Sequence, residues 1–200
     1  MDLDDKIPIL MPIIFIQKIC SVKSMLNVKN LDIQFLNKED KSWLKAVNNV
    51  SFSIDKGKVL GIVGESGSGK SVTSFSIMRL HDPQSTMIGG EVEFDNIDLL
   101  NLTPEEIRGY RGNKIAMIFQ EPMTSLNPVF TCGAQVEEAI VLHQELDKYT
   151  AKNKTIALFK EVQLPRPENI FDSYPHQLSG GQKQRVMIAM AMCCQPALLI

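Results

Sequence analysis

The sequence shows no large excess of charge of either sign and no cysteine pattern. Its 200 residues carry 21 Lys and Arg against 23 Asp and Glu, a balance that does not favour a nucleic-acid partner. None of the four cysteines is spaced as Cys-x-x-Cys or has a partner histidine. This absence favours reduced thiols packed in a cytosolic protein over a disulfide framework or a metal site. The cysteines are Cys20, Cys132, Cys193 and Cys194.

The N-terminal part of the sequence lacks a hydrophobic run long enough to span a bilayer. Residues 7–16 are apolar, but they are broken by two prolines and are too few, because a spanning helix needs about 20 residues. Residues 1–6 are net acidic, whereas a signal peptide begins with basic residues. A strand pattern begins at Met25. We therefore expect either that translation starts at Met25 or that residues 1–24 are a dispensable extension.

The hydrophobic pattern of the first half predicts strands followed by one helix. Apolar residues alternate in 31–35 and again in 50–54, as in half-buried strands, and the polar stretch between them is typical of a surface loop. The short continuous apolar run 59–63 suits a strand buried on both faces of a parallel sheet. A helical pattern then covers residues 70–80. His81 has no evident partner and is predicted to be a surface or helix-face residue.

In the second half, short apolar runs alternate with helical patterns. Thr103, Pro104 and Glu106 form a helix start, because threonine can cap, proline suits the first helical position and glutamate completes a capping box. Pro165 and Pro167 end the long helical segment before them. Strands are predicted at 91–94, 115–119 and 196–200, and helices at 133–163 and 181–194.

Residues 64–71 read Gly-Glu-Ser-Gly-Ser-Gly-Lys-Ser, a loop between a predicted strand and a predicted helix. Gly64, Gly67 and Gly69 can adopt backbone angles closed to other residues, which lets several N–H groups point at phosphate oxygens. The following helix adds its positive N-terminal end. Lys70 would reach the β- and γ-phosphates of a nucleotide, and the Ser71 hydroxyl would ligate Mg²⁺. The loop therefore predicts nucleotide binding, and an incidental glycine-rich turn is the minor alternative.

A second candidate anion site lies at residues 178–182, Leu-Ser-Gly-Gly-Gln, at the start of a predicted helix. The Ser179 hydroxyl, the flexible backbone at Gly180 and Gly181, and the helix N-terminus can together bind an anion. Taken alone, the stretch could equally be a serine N-cap followed by turn glycines. Because the same chain carries a phosphate-binding loop, we favour a second anion-binding helix start.

These two motifs, together with Gln120 at a predicted strand end, resemble the ATP-binding subunits of ABC transporters. Residues 64–73, 115–128 and 174–191 resemble, more narrowly, the oligopeptide and dipeptide importer branch of that family. The likeness covers residues 26–200, and motifs of this length make coincidence a poor explanation.

The resemblance implies an α/β fold: a P-loop NTPase (RecA-like) core with an antiparallel β subdomain and an inserted α-helical subdomain, the core being incomplete at its C-terminus. It places an ABC-type ATP-binding domain at residues 25–200, with the helical subdomain at 121–178 and residues 1–24 outside. In this family the next strand ends in an aspartate that orders Mg²⁺ and a catalytic glutamate, and residues 1–200 contain neither. Because positioning and metal electrostatics supply most of the acceleration in phosphoryl transfer, we expect little ATPase activity from this chain alone.

The resemblance also implies roles for individual residues. Lys70 and Gln120 would take part in catalysis, and Ser71 and Gln120 would position Mg²⁺. An aromatic residue would stack on adenine, and Phe35 and Trp43 are the two candidates. The nucleotide would be held by Gly64, Glu65, Ser66, Gly67, Ser68, Gly69, Lys70, Ser71 and Val72, while Ser179, Gly180, Gly181 and Gln182 would complete the nucleotide site of a second subunit.

The expected function is to couple ATP hydrolysis to the import of peptides or related small solutes, with ATP and Mg²⁺ as cofactors. The implied partners are a second ATP-binding subunit and integral membrane permease subunits, with a substrate-binding protein acting indirectly and no nucleic acid. The implied location is peripheral, on the cytoplasmic face of the inner or plasma membrane. Two alternatives stay open: a non-catalytic remnant, and a soluble ABC-type ATPase unrelated to transport. DNA-repair members of the second class would separate these motifs by a long coiled coil. The sequence contains no heptad run, which argues against these members.

Overall fold

The computed structural model describes residues 24–119 and 125–200 of the protein. Contacts within these residues divide the chain into two compact units, one ending at Thr103 and the other beginning at Pro104. None of the helices in the described ranges combines the length and apolar character needed to cross a membrane. The predicted domain bounds, with residues 1–24 outside the domain and a helical subdomain at 121–178, stay predictions, and residues 1–23 lie outside the described ranges.

The first unit is built on a four-stranded antiparallel sheet in the order β2-β1-β3-β4. The strands are β1 (Ser24–Leu36), β2 (Trp43–Asp55), β3 (Thr86–Phe94) and β4 (Ile97–Asp98). The predicted alternation in 31–35 and 50–54 is confirmed by β1 and β2. Helix α1 (Lys70–Ile77) ends before the predicted residue 80, since Arg79 adopts a left-handed φ of 50°. The buried apolar residues of this unit are Leu26, Val28, Leu31, Ile33, Val47, Val50, Phe52, Ile77, Met78, Val92, Phe94 and Leu99.

A bulge in β1 keeps its apolar residues on one face of the sheet. Lys29 and Asn30 are both exposed between two buried residues, and the register with β2 shifts here. Asn30 takes a φ of 49° and donates its backbone N–H to Ser51 Oγ at 2.8 Å. A Cβ on Gly90, whose φ is 96°, would lie 2.5 Å from the Asn30 carbonyl oxygen. The strand predicted at 91–94 begins earlier in the structure, so Gly90 lies inside β3. Glycine is required at this position because the backbone of the Asn30 bulge leaves no room for a side chain.

Residues 59–63 do not form the strand that their apolar run predicts. Val59 is 98% exposed and Val63 is 65% exposed. In the part of the chain that the structure describes, no strand runs alongside this segment to complete its ladder of hydrogen bonds. An apolar run becomes a strand only where a neighbouring strand satisfies its backbone groups. The prediction of a strand at residues 59–63 is therefore wrong for the part of the chain that the structure describes.

The second unit is mainly helical. The helices predicted within 133–163 and 181–194 and the helix start after Thr103 are confirmed. One short helix was not predicted, because Pro167 ends the preceding pattern and also suits the first position of a new helix. The helices are α2 (Pro104–Tyr110), α3 (Cys132–Gln144), α4 (Lys148–Glu161), α5 (Pro167–Asp172) and α6 (Gly180–Met192), with a 3₁₀ helix at Pro175–Gln177.

Two short strands of the second unit, β5 (Ile115–Ala116) and β6 (Leu198–Leu199), pair in parallel. The Ile200 N–H donates to the Ala116 carbonyl at 2.9 Å, and the Ile200 carbonyl accepts from the Ile118 N–H at 2.9 Å. Both strands are shorter than the predicted strands at 115–119 and 196–200, although the hydrogen bonds between the two segments reach Ile118 and Ile200.

The helical core of the second unit depends on a close contact between α3 and α5. A Cβ on Gly133 of α3 would lie 2.2 Å from the Phe171 ring of α5, so only glycine fits this position. The buried cluster consists of Leu126, Cys132, Val136, Ile140, Ala151, Phe159, Leu164, Ile170, Phe171, Leu178, Val186, Met187, Ala189 and Cys193.

Candidate functional site

The loop at residues 64–70 has the backbone that an anion-binding turn requires. Gly67 and Gly69 have φ values of 83° and 91°, in the left-handed region that favours glycine. Glycine is needed at position 64 for a different reason, since a Cβ on Gly64 would lie 2.6 Å from Ser68 Oγ. The Ser68 N–H donates to the Glu65 carbonyl at 3.2 Å and closes the turn. Three glycines therefore serve the same compact loop, two through their dihedral angles and one through close packing.

Gly69 joins this loop to α1 and fixes the helix against the sheet. It is the N-cap residue of α1, and a Cβ on it would lie 2.9 Å from the Ala46 carbonyl oxygen and 3.1 Å from Val47 Cγ2 of β2. The first turn of α1 contains no acidic residue, so no carboxylate offsets its positive end. The contact with β2 holds the helix N-terminus at the loop, where it can act on a bound anion.

The Lys70 ammonium group lies over the loop itself. Lys70 Nζ donates to the carbonyl oxygens of Gly64 at 2.7 Å and Glu65 at 2.6 Å, and to Ser68 Oγ at 3.3 Å. Ser71 is exposed in the first turn of α1. One cation, two left-handed glycines and a helix N-terminus therefore converge on one small surface, which suits a ligand that carries several negative charges.

The two candidate adenine-stacking residues differ in what surrounds them. The Phe35 ring meets the His81 ring edge-on, with centroids 5.2 Å apart and planes at 78°, and His81 meets Phe75 in the same way at 5.9 Å. His81 Nε2 also lies 3.1 Å from the Val72 carbonyl oxygen. The prediction that His81 has no partner is therefore wrong. Trp43 at the start of β2 is 38% exposed.

Ser179 forms the predicted N-cap of α6. Its Oγ accepts from the Gln182 N–H at 3.3 Å, and Gln182 Oε1 accepts from the Ser179 N–H at 2.9 Å, a reciprocal capping box. Gly180 and Gly181 have no positive φ, and a Cβ on either would meet nothing of the described chain within 4 Å. Neither backbone angle nor packing against the described residues requires these glycines.

Gln120, predicted to act on Mg²⁺ and water, lies outside the described residues. The two glycine-containing motifs belong to different units, the loop to the first and the start of α6 to the second.

Comparison with known proteins identifies the family. A family model described as ABC transporter matches residues 47–200. The chain belongs to the ABC transporter family. The matched range includes both the loop at 64–71 and the start of α6, so the resemblance drawn from these motifs is confirmed.

Individual ABC transporter relatives agree with the importer branch. The chain is 50% identical to the dipeptide transport ATP-binding protein DppD of Haemophilus influenzae, over 88% of this chain and 53% of that protein. It is 48% identical to DppD of Escherichia coli strain K12, over 88% of this chain and 54% of that protein. The chain thus spans about half the length of these curated relatives.

The fold is similar to that of solved ABC cassettes. A dimeric structure of MJ0796, a bacterial ABC transporter cassette, matches with a TM-score of 0.74 and 30% identity, over 88% of this chain and 72% of that one. A post-hydrolysis dimer of MJ0796 bound to ADP and Pi matches with a TM-score of 0.73 and 30% identity, with the same coverage. These matches confirm the predicted P-loop NTPase class.

Among the cysteines that the structure describes, Cys132 and Cys193 are buried free thiols and Cys194 is a partly buried one. Burial raises the pKa of the Cys132 thiol to about 11, although the positive charge of Lys183 acts in the opposite direction. Burial, and then the neighbouring Cys194, raise the pKa of Cys193 to about 12. Sequence reasoning missed that Cys193 and Cys194 bring their sulfur atoms together, because adjacent residues on a helix do not normally face each other.

Replacing Ser179 with alanine is expected to destabilise α6 by about 0.5–2 kcal/mol, because the N-cap hydroxyl and its reciprocal partner are lost. Urea denaturation followed by far-ultraviolet circular dichroism measures this, since most helices lie in the second unit. The matched control is Gln184→Ala on the exposed side of the same helix, which should leave the free energy of unfolding unchanged. Equal stability of the two variants would show that the cap contributes nothing.

Proposed function

We propose that the protein is an ATP-binding subunit that couples ATP hydrolysis to the import of peptides or related small solutes. The observation that carries this proposal is the loop at 64–70, in which Lys70 and the N-terminus of α1 face one anion-sized surface. The family supplies the reaction class, and the names of relatives, which include dipeptide transport and glutathione import, supply the class of cargo.

ATP binding would use the loop as a phosphate cradle. Lys70 Nζ now bonds two loop carbonyls and Ser68 Oγ, and phosphate oxygens would take over these contacts. Glu65, Ser66 and Gly67 are exposed, and their backbone N–H groups would bind phosphate oxygens as Lys70 Nζ moves from the loop carbonyls to the phosphates. The positive end of α1 would add to the attraction.

Mg²⁺ would be held beside the phosphates by Ser71 and by the side-chain oxygen of Gln120. The exposed Ser71 hydroxyl on the first turn of α1 fits this role, because hydroxyl and amide oxygens are hard donors of the kind that Mg²⁺ prefers. The bound ion would neutralise phosphate charge. Lys70 and Gln120 would then position the reacting phosphate and the attacking water.

Trp43 is the better candidate for stacking on adenine. The Phe35 ring is occupied by an edge-on contact with His81, which in turn contacts Phe75 and Val72. Trp43 is partly exposed and begins the strand against which Gly69 packs. Its larger indole face provides more stacking area than a phenyl ring.

The start of α6 would complete the nucleotide site of a second ATP-binding subunit. Gly180 and Gly181 leave room for close backbone approach, and Ser179 and Gln182 fix the helix N-terminus that would face the γ-phosphate. Binding of ATP would close such a dimer and hydrolysis would open it. The subunit would act at the cytoplasmic face of the membrane with permease subunits, which a substrate-binding protein supplies with cargo.

Deletion of the native gene tests the proposed function in the whole protein. Uptake of radiolabelled di- and tripeptides should fall to the level of energy-depleted cells. The wild-type gene and its Lys58→Ala variant should restore uptake, whereas Lys70→Ala should not. Lys58 is an exposed lysine before the loop and serves as the matched control. Normal uptake in the deletion strain would contradict peptide import and favour a soluble ATPase or a non-catalytic remnant.

A further inference from the structure

Two adjacent cysteines at the end of α6 bring their sulfur atoms unusually close. Cys193 Sγ and Cys194 Sγ lie 3.6 Å apart. Neighbouring side chains on a helix point about 100° apart, so an adjacent pair does not meet while the helix continues. Here α6 ends at Met192, and the Gln195 N–H donates to the Met192 carbonyl at 2.9 Å as Gln195 takes a φ of 53°. The turn therefore places both thiols on one side.

The surrounding protein holds this turn in place. Gln144 Nε2 of α3 donates to the Cys193 carbonyl at 3.2 Å, and Cys194 Sγ donates to the Ala139 carbonyl at 3.8 Å. Cys193 is buried in the helical core, whereas Cys194 is only partly buried. The pair is thus fixed to α3 and can be reached from the Cys194 side.

The chemistry of the pair restricts what it can bind. Among the described residues, no third His, Cys, Asp or Glu joins it to form a metal-binding group, which argues against a structural zinc site with four ligands. Burial raises the pKa of the Cys193 thiol, which disfavours the thiolate that attacks disulfides and ligates most metals. The geometry therefore favours a ligand that takes two sulfurs and releases their protons in the reaction.

We propose that Cys193 and Cys194 form a dithiol site that captures a monosubstituted trivalent arsenical. The arsenic of an organic arsenoxide forms one bond to each sulfur and keeps its organic substituent. Its bonds to oxygen break, and the two thiol protons leave with that oxygen as one molecule of water. Neither arsenic nor sulfur changes oxidation state, so no oxidant or reductant is needed. Cys194 reacts first because it is accessible, and Cys193 closes the ring.

Phenylarsine oxide with the full chain tests this site by intact-mass spectrometry. At equimolar reagent the wild-type chain should carry one phenylarsenic group, which a small dithiol removes and an excess of monothiol does not. Residues 186–200 contain no Lys or Arg, so trypsin should leave the adduct on the peptide that begins at Val186. Cys194→Ser should lose the adduct, whereas Cys132→Ser and Cys20→Ser should keep it.

Cys194→Ser is the informative variant because the residue is only partly buried, and its thermal unfolding should match that of the wild type. Cys193→Ser places a hydroxyl in the core and is used only if it passes the same unfolding check. An unmodified wild-type chain would overturn the proposal. So would an adduct that survives in Cys194→Ser, one that is lost in Cys20→Ser, or one on a peptide other than that beginning at Val186.

Discussion

Replacing Lys70 with alanine is expected to weaken ATP binding by about 10- to 100-fold without unfolding the chain. A hydrogen bond to a charged group contributes about 1.5–3 kcal/mol, and each 1.4 kcal/mol is about tenfold in affinity. Lys70 Nζ already lies among three loop oxygens at the mouth of the cradle, so its charge is positioned for phosphate. Fluorescence anisotropy of a labelled ATP analogue, with competition by ATP, measures the change.

The matched control for Lys70→Ala is Lys58→Ala, which removes an equal charge from an exposed position before the loop. It should bind ATP with wild-type affinity, because a charge outside the cradle is screened by solvent and salt. If both variants lose affinity equally, binding responds to net charge and not to the loop geometry. If neither loses affinity, Lys70 does not contact the phosphates.

Replacing Gly133 with alanine is expected to destabilise the second unit by about 1–3 kcal/mol, the usual cost of overpacking a core. The added Cβ would lie 2.2, 2.3 and 2.6 Å from three carbons of the Phe171 ring. Phe171 is buried in the helical core, where close packing makes an added carbon costly. Urea denaturation followed by far-ultraviolet circular dichroism measures the loss.

Gly109→Ala is the control for Gly133→Ala, since Gly109 also lies in a helix of the second unit. A Cβ at this position meets nothing of the described chain within 4 Å. The change should stabilise the chain by about 0.4–1 kcal/mol, because alanine reduces the conformational entropy of the unfolded state. Equal stability of the two variants would mean that α3 and α5 do not pack as closely as described.

Local patterns predicted the elements that local interactions determine. The alternation of apolar residues in β1 and β2 marks the buried face directly, and Ser179 marks the start of α6 through its own side chain. The glycine-rich loop was predicted for the same reason, since positive φ at Gly67 and Gly69 is a property of the residues themselves.

Features that depend on distant neighbours were not predictable. Residues 59–63 have a strand pattern, but a strand also needs a pairing partner that the segment's own sequence does not contain. The position of Gly90 inside β3 follows from the bulge at Asn30, sixty residues earlier. The contact of His81 with Phe35 likewise arises only when α1 and β1 are brought together. In each case the deciding contact is remote in sequence.

Equilibrium dialysis of ATP, ADP and AMP against the wild-type chain tests the central claim most directly. If the loop at 64–70 holds the β- and γ-phosphates, ATP and ADP should bind and AMP, which has neither, should bind far more weakly. The three ligands share the same adenine, so any difference reports on the phosphate cradle alone. AMP binding as tightly as ATP, or no binding of ATP at all, would contradict the account.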